Sequence, residues 1–146
     1  MKHLYVKILL AGLLASAPCV YAAELITLKE SKLPDASGGF ATRGISRGPG
    51  IKVLSPEPGM ATAAPFEFKL EFTPRSGAPI DPSSVKVLYM KSPMVDLTPR
   101  VKSVITSEGL DFKDAKVPPG DHQMKIIVLD TEGREGTALI NLTVVK

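Results

Sequence analysis

The chain has 146 residues, with 18 basic and 15 acidic side chains, a formal net charge of +3 and one cysteine. This length is enough for one domain with its own hydrophobic core. A single cysteine excludes a disulfide within the chain, so the fold is expected to be held by core packing alone.

Residues 1–22 have the layout of a secretory signal peptide. A basic head with Lys2 and Lys7 precedes a short apolar run at 8–17, and Ala22 ends a small-residue cleavage pattern. The apolar run is too short to span a bilayer. We therefore expect an exported protein, periplasmic or extracellular, with no stable membrane insertion after cleavage.

Removal of the signal peptide changes the charge balance. Lys2 and Lys7 are lost, which leaves 16 basic residues against 15 acidic ones, and Cys19 is lost as well. The sequence pI of about 9.0 therefore belongs to the precursor. A nearly neutral mature chain gives no reason to expect a nucleic-acid partner, which requires a surplus of Lys and Arg.

Residues 23–50 are predicted to form a flexible leader or linker. Apart from one short extended piece at 25–28, the segment is rich in Gly, Ser and Pro, and within 34–50 only Phe40 and Ile45 offer apolar side chains to bury. Such a composition does not compensate for the entropy lost on ordering.

From residue 51 onward, alternating patterns predict strands. PFEFKLEF (65–72) alternates strictly, so Phe68 shares one face with the other apolar residues and faces the core. The segments 123–130 and 137–145 are apolar on both faces in places, which is typical of central strands. The predicted strands are 65–72, 84–90, 123–130 and 137–145, with weaker candidates at 51–54, 101–106 and 110–117.

These patterns predict an all-β fold for residues 51–146. No segment has a convincing helical period, and residues that favour turns separate the predicted strands. About seven short strands in roughly a hundred residues is typical of an immunoglobulin-like antiparallel β-sandwich. An up-and-down barrel is the second choice.

The turn motifs in this order resemble those of the bacterial immunoglobulin-like (Big-type) domains. The likeness rests on LSPEPG (54–59), IDPSSV (80–85), VDLTP (95–99) and the closing segment at 117–145. The resemblance implies a sandwich and a location in the cell envelope. Modules of this kind serve in adhesins, as spacers in surface enzymes and as small exported proteins.

A second resemblance is to the periplasmic copper carriers of copper resistance. These proteins share a small β-sandwich and a similar S-P-x-x-G opening, and they bind copper with histidines at the mature N-terminus and near the last hairpin. Here the mature N-terminus is AELITL (23–28), and the last hairpin contains DTEGREG (130–136), with no histidine in either. The scaffold matches this family but the ligands do not.

His122 is the single histidine that remains after signal cleavage, and it follows Asp121. In a strand these two side chains point to opposite faces of the sheet. The next carboxylate, Asp130, lies eight residues further along, which is about 26 Å in an extended strand. We therefore interpret 117–136 as a strand between two turns, with His122 at the start of the strand and little effect on stability.

Acidic residues near the last hairpin form a weak candidate for a cation site. Asp130, Glu132 and Glu135 are close in sequence and can offer oxygens to calcium. Their spacing matches no established calcium loop, and Arg134 balances their charge. A solvated hairpin is the favoured interpretation, and the same holds for the acidic residues at 108–114.

No cofactor, metal site or catalytic group is predicted. Met90 and Met94 are two thioethers without the third ligand that a Cu(I) site needs, and methionine is an ordinary core residue. Known nucleophile and zinc motifs are missing, and one imidazole remains after processing. The protein is not expected to be an enzyme.

The segment 91–99 is apolar for a loop, with Met94, Val95 and Leu97. These residues either tuck under the sandwich or form a loop that docks a partner. Our hypothesis is a non-enzymatic envelope protein that binds or bridges a protein partner. The alternative is a periplasmic copper carrier.

Overall fold

The computed structural model describes residues 23–38 and 46–146. The predicted signal peptide at 1–22 and the apolar residues Phe40 and Ile45 lie outside the described residues. The elements are α1 (Leu28–Ser31), β1 (Gly50–Ser55), β2 (Ala61–Ala63), β3 (Phe66–Thr73), β4 (Ile80–Tyr89), β5 (Val95–Asp96), α2 (Thr98–Val101) followed by a 3-10 turn (Lys102–Val104), β6 (Gly109–Ala115), β7 (Gly120–Asp130) and β8 (Glu135–Val145).

These strands form two sheets, in the orders β1-β3-β6 and β2-β8-β7-β4-β5. The predicted β-sandwich is therefore confirmed. The order is immunoglobulin-like, because each sheet pairs strands that are distant in the chain, as in the Greek-key sandwiches. In one sheet β3 pairs with β6, and in the other β4 pairs with β7. Neighbouring strands are antiparallel except for β2, which pairs in parallel with residues 143–145 of β8.

Most of the predicted strands are present, but 101–106 is not one. Residues 98–104 form α2 and the 3-10 turn instead, with Pro99 in the first turn of α2. Leu97 and Val101, four residues apart, are both fully buried. A helical turn places residues at this spacing on one face, which explains why the segment is not extended. The short strands β2 and β5 were not predicted, since two or three residues carry no alternation.

The core lies between the two sheets and follows the predicted alternation. Phe68 in β3, Tyr89 in β4 and Ile126 in β7 are each fully buried, and they come from both sheets. The inward position predicted for Phe68 is confirmed.

Residues 23–38 pack against the sandwich and are called the N-terminal strap here. Leu25 and Ile26 are fully buried members of the core. Backbone bonds link Leu25 and Ala23 to Lys116 at the end of β6. The prediction of a flexible leader is therefore wrong for the strap, because two adjacent apolar residues provide burial that the Gly-rich part of the segment does not.

Ion pairs fasten the strap at two further points. The guanidinium of Arg100 in α2 donates to both carboxylate oxygens of Glu30, at 2.6 and 2.8 Å, and to the backbone oxygen of Leu25 at 2.8 Å. Near its end, Asp35 accepts a hydrogen bond from Lys91. Arg100 holds the pKa of Glu30 at about 2, so this carboxylate is charged at neutral pH.

Candidate functional site

The outer face of the three-stranded sheet is a ladder of charges. Lys113 lies 2.8 Å from Glu67 and 3.4 Å from Asp111, and Lys69 lies 3.5 Å from Asp111. These side chains are substantially exposed, so the pairs add little to stability. They do keep this face hydrated, because each charge prefers water or an opposite charge to an apolar neighbour.

The ionisation of the ladder supports this description. Partial burial raises the pKa of Asp111, but the neighbouring Lys113 and Lys69 lower it by a larger amount. The pKa of Asp111 therefore lies below its ordinary value. Glu67 raises the pKa of Lys113. Both partners are charged at neutral pH.

The outer face of the five-stranded sheet has a different character. Inward residues such as Ile126 and Val128 of β7 are fully buried, and the alternate residues point outward. Four outward residues are apolar and partly exposed. We call this surface the apolar outer face, and it consists of Leu88, Ile127, Leu129 and Leu139.

The strand register shows how closely these residues are grouped. Leu88 of β4 lies opposite Lys125 of β7, which lies opposite Leu139 of β8. In the next row Lys86 lies opposite Ile127. The apolar outer face is therefore one patch across three adjacent strands, with two lysines within it.

The patch becomes polar toward one end of the sheet. Gln123 donates to Asn141 at 3.0 Å, and Thr143 donates to Asp121 at 2.7 Å. The sequence carries a signal for this surface, since 123–130 and 137–145 are apolar on both faces. The same pattern is typical of central strands, so by itself it does not indicate an exposed apolar face.

The predicted docking loop does not form one surface. Met94 is exposed, Val95 is partly buried in β5, and Leu97 is fully buried. The backbone nitrogen of Leu97 donates to Val87, which holds the segment against β4. Leu97 therefore cannot contact a partner, and a docking loop of all three residues is wrong.

Met90 and Met94 lie in different environments. Met90 is 2% exposed, whereas Met94 is 48% exposed. Met90 is therefore a core residue.

His122 is buried within β7, on its inward face. Its Nδ1 lies 2.8 Å from the Tyr89 hydroxyl, and its Nε2 lies 2.7 Å from the backbone oxygen of Pro118. A carbonyl only accepts, so Nε2 carries the proton and the Tyr89 hydroxyl donates to Nδ1. Burial lowers the pKa of His122, which favours this neutral form.

Lys91 is a second buried polar group close to Tyr89. It is 7% exposed, its ammonium lies 5.4 Å from the centre of the Tyr89 ring, and it donates to Asp35 of the strap. Asp35 raises the pKa of Lys91, so the lysine stays charged. Its role is to fasten the strap to the end of β4.

Two acidic residues of the last hairpin, Asp130 and Glu132, share Arg134 as their ion-pair partner, at 2.7 and 2.9 Å. Asp130 accepts from the backbone nitrogens of Glu132 and Arg134 and from the Arg134 side chain. Burial raises the pKa of Asp130, but these donors lower it below its ordinary value. Glu135 accepts from Thr137. Across residues 23–38 and 46–146, no group of three or more His, Cys, Asp or Glu side chains is placed to hold a metal ion.

Comparisons with known proteins give the fold distant neighbours and no family. No family model matches the chain, and no curated protein is similar to it. CopC from Methylosinus trichosporium OB3b is 18% identical over 65% of this chain and 93% of its own, with a TM-score of 0.43. The fibronectin(III)-like modules of Clostridium thermocellum CbhA are 17% identical over 66% of this chain and 46% of theirs, with a TM-score of 0.39.

At these scores the likenesses assign neither a family nor a function. The resemblance to Big-type domains likewise remains a resemblance of turn motifs. In the part of the chain that the structure describes, no helix has the length and apolar character needed to cross a membrane.

Proposed function

We propose that this protein is an exported, non-enzymatic module that binds a protein partner through the apolar outer face. The observation that carries the proposal is the contrast between the two outer faces of one sandwich. One is a hydrated ladder of ion pairs, and the other groups four apolar side chains on three adjacent strands. Grouped apolar side chains on a rigid surface are typical of interaction sites.

The rigidity of the sheet favours binding. Ile127 and Leu129 alternate with fully buried core residues, so their backbone is fixed before a partner arrives. Little conformational entropy is then lost on association, and the removal of apolar area from water contributes about 25 cal/mol per Å² before the costs of association.

Charged side chains lie within the patch and at its rim. Lys86 and Lys125 lie between the apolar residues, and Asp81 and Asp96 at the rim accept hydrogen bonds from Ser83 and Thr98. The complementary surface is therefore a protein surface that combines apolar side chains with polar groups.

Site-specific photo-crosslinking in cells tests this proposal. A photoreactive side chain at Ile127 should yield a crosslinked partner that mass spectrometry identifies. The same side chain at Leu54, which is 42% exposed on the outer side of the three-stranded sheet, is the matched control and should yield none. Equal crosslinking at both positions, or crosslinks from Ile127 solely within its own chain, would contradict the proposal.

A pair of variants tests whether the partner binds to the apolar outer face. Ile127→Glu places an unpaired charge in the apolar contact, so the crosslink from a reporter at Leu139 should fall at least tenfold. Leu54→Glu makes the same change on the charged face and should leave that crosslink unchanged. Thermal unfolding of both variants checks that they remain folded, so that a weaker crosslink reflects weaker binding.

The export part of the proposal rests on residues 1–22. Mass spectrometry of an envelope fraction should find the mature N-terminus at Ala23. A chain found in the cytoplasm with Met1 intact would contradict the proposal that the protein is exported. The copper-carrier alternative has no observation in its favour, since both ring nitrogens of His122 already have partners.

A further inference from the structure

Strand β8 has one edge that its own sheet covers incompletely. Along the other edge it pairs with β7 from residue 135 to residue 144. On the incompletely covered edge, β2 pairs with residues 143–145, and the Ser46 hydroxyl donates to the backbone oxygen of Glu135. No strand among the described residues pairs with the stretch between them. We call residues 137–142 the open edge.

The hairpin register shows which backbone groups face outward there. Arg134 offers its oxygen to Asp130 of β7, and the Glu135 oxygen points away toward Ser46. In an antiparallel ladder the residues of a strand alternate between its two neighbours. The N–H and C=O groups of Thr137, Leu139 and Asn141 therefore point to the open edge, and the described residues include no backbone partner for them.

The open edge also lacks the usual devices that block pairing. Natural edge strands are protected by charged side chains, prolines or bulges. Here no charged residue and no proline occurs between Glu135 and Lys146. The register with β7 continues through the open edge without a shift.

An apolar groove follows this edge on the inner side. It has a volume of ≈ 310 Å³, and its mainly apolar lining includes Val53, Met60, Ile140 and Leu142, with Glu57 as the charged member. Met60 is 60% exposed. Side chains of an added strand that point inward would meet this apolar lining.

We propose that the open edge accepts an extended strand from the protein partner, which then becomes an additional strand of the five-stranded sheet. The inference rests on the proposed function, because it assumes a protein partner. The strand that fits is about six residues long, or about 20 Å, and is uncharged, with apolar side chains at the alternate positions that face the groove.

A second copy of this chain fits less well. Antiparallel pairing of two open edges would bring β2 of each molecule against residues 46–49 of the other, because these elements flank the open edge at both ends. A single extended segment avoids this collision.

Amide hydrogen exchange of the purified protein provides the first test. The amides of Thr137 and Leu139 should exchange rapidly, whereas those of Ala138 and Ile140, which face β7, should be protected. Slow exchange at Thr137 and Leu139 in the free monomer would show that the edge is already covered, and this would overturn the proposal.

A displayed library of ten-residue peptides with alternating apolar side chains provides the second test. Leu139→Pro removes one outward N–H and should weaken binding of the selected peptides about tenfold, the equivalent of one hydrogen bond. Leu139→Ala is the matched control, since it loses the same side chain but keeps the N–H, and its affinity should fall much less. Equal losses in the two variants would overturn the proposal.

A library without any binder would overturn it as well. The crosslinks from Ile127 separate this inference from the proposed function. A partner captured at Ile127 whose crosslink is as strong in Leu139→Pro as in Leu139→Ala would leave the proposed function standing and remove strand addition.

Discussion

Replacement of Glu30 by Gln tests whether the strap is part of the folded domain. Arg100 holds the pKa of Glu30 at about 2, compared with an ordinary value of 4.5. One pKa unit corresponds to about 1.36 kcal/mol, so the full shift represents about 3 kcal/mol. Glu30 is 18% and Arg100 32% exposed. Solvent screening lowers the expected contribution to about 1–2 kcal/mol.

The pH dependence of this contribution has a definite sign. A carboxylate whose pKa is lowered by folding stabilises the protein at pH values above 4.5, and the contribution is lost as the pH falls to about 2. Glutamine keeps the volume of the side chain and can still accept the capping hydrogen bond from Thr27. The substitution therefore removes mainly the charge.

Urea unfolding of both proteins at pH 7 and near pH 2 measures the effect. The free energy of unfolding of Glu30→Gln should be lower by about 1–2 kcal/mol at pH 7, and the difference should shrink toward zero near pH 2. Glu57→Gln, at an exposed position, is the control and should match the unsubstituted protein within about 0.5 kcal/mol. An unfolding free energy of Glu30→Gln equal to that of the control at pH 7 would refute the reasoning.

Three further predictions concern the core. His122→Ala should lose about 2–3 kcal/mol in denaturant unfolding, because the Tyr89 hydroxyl and the Pro118 carbonyl lose their partner. Since burial lowers the pKa of His122, the unsubstituted protein should lose stability as the pH falls below 6.5, and this dependence should be weaker in the variant. Phe68→Ala should lose about 3–5 kcal/mol, and a nearly silent substitution would contradict the register of β3. Gly136→Ala would place a Cβ 2.0 Å from the Pro49 oxygen and should destabilise the protein more than Gly50→Ala, whose Cβ would meet its nearest neighbour at an ordinary 3.6 Å.

The sequence was sufficient to predict the sandwich because the alternation in β3 and the turn residues are local signals. The alternation at 66–72 is contained in one short segment, and it is sufficient to place Phe68 on the inward face. The strap was missed for the opposite reason. Leu25 and Ile26 carry no periodic pattern, and their burial depends on Lys116 and Arg100, which are distant in sequence.

The candidate site was harder to predict than the fold. Leu88, Ile127 and Leu139 become neighbours through the pairing of three strands, and pairing is not visible in any one segment. For His122 the sequence predicts the start of a strand, whereas in the structure it is the first buried residue of β7. For the apolar outer face, the missing information was the register between strands.

The parallel pairing of β2 with β8 has a mechanical consequence. The chain enters β2 at one end of the paired region and leaves β8 at the other, because the strands run in the same direction. A pulling force between the chain before β2 and the C-terminus would slide the two strands along each other and load their hydrogen bonds together. Antiparallel hairpins pulled at their open end break one bond at a time.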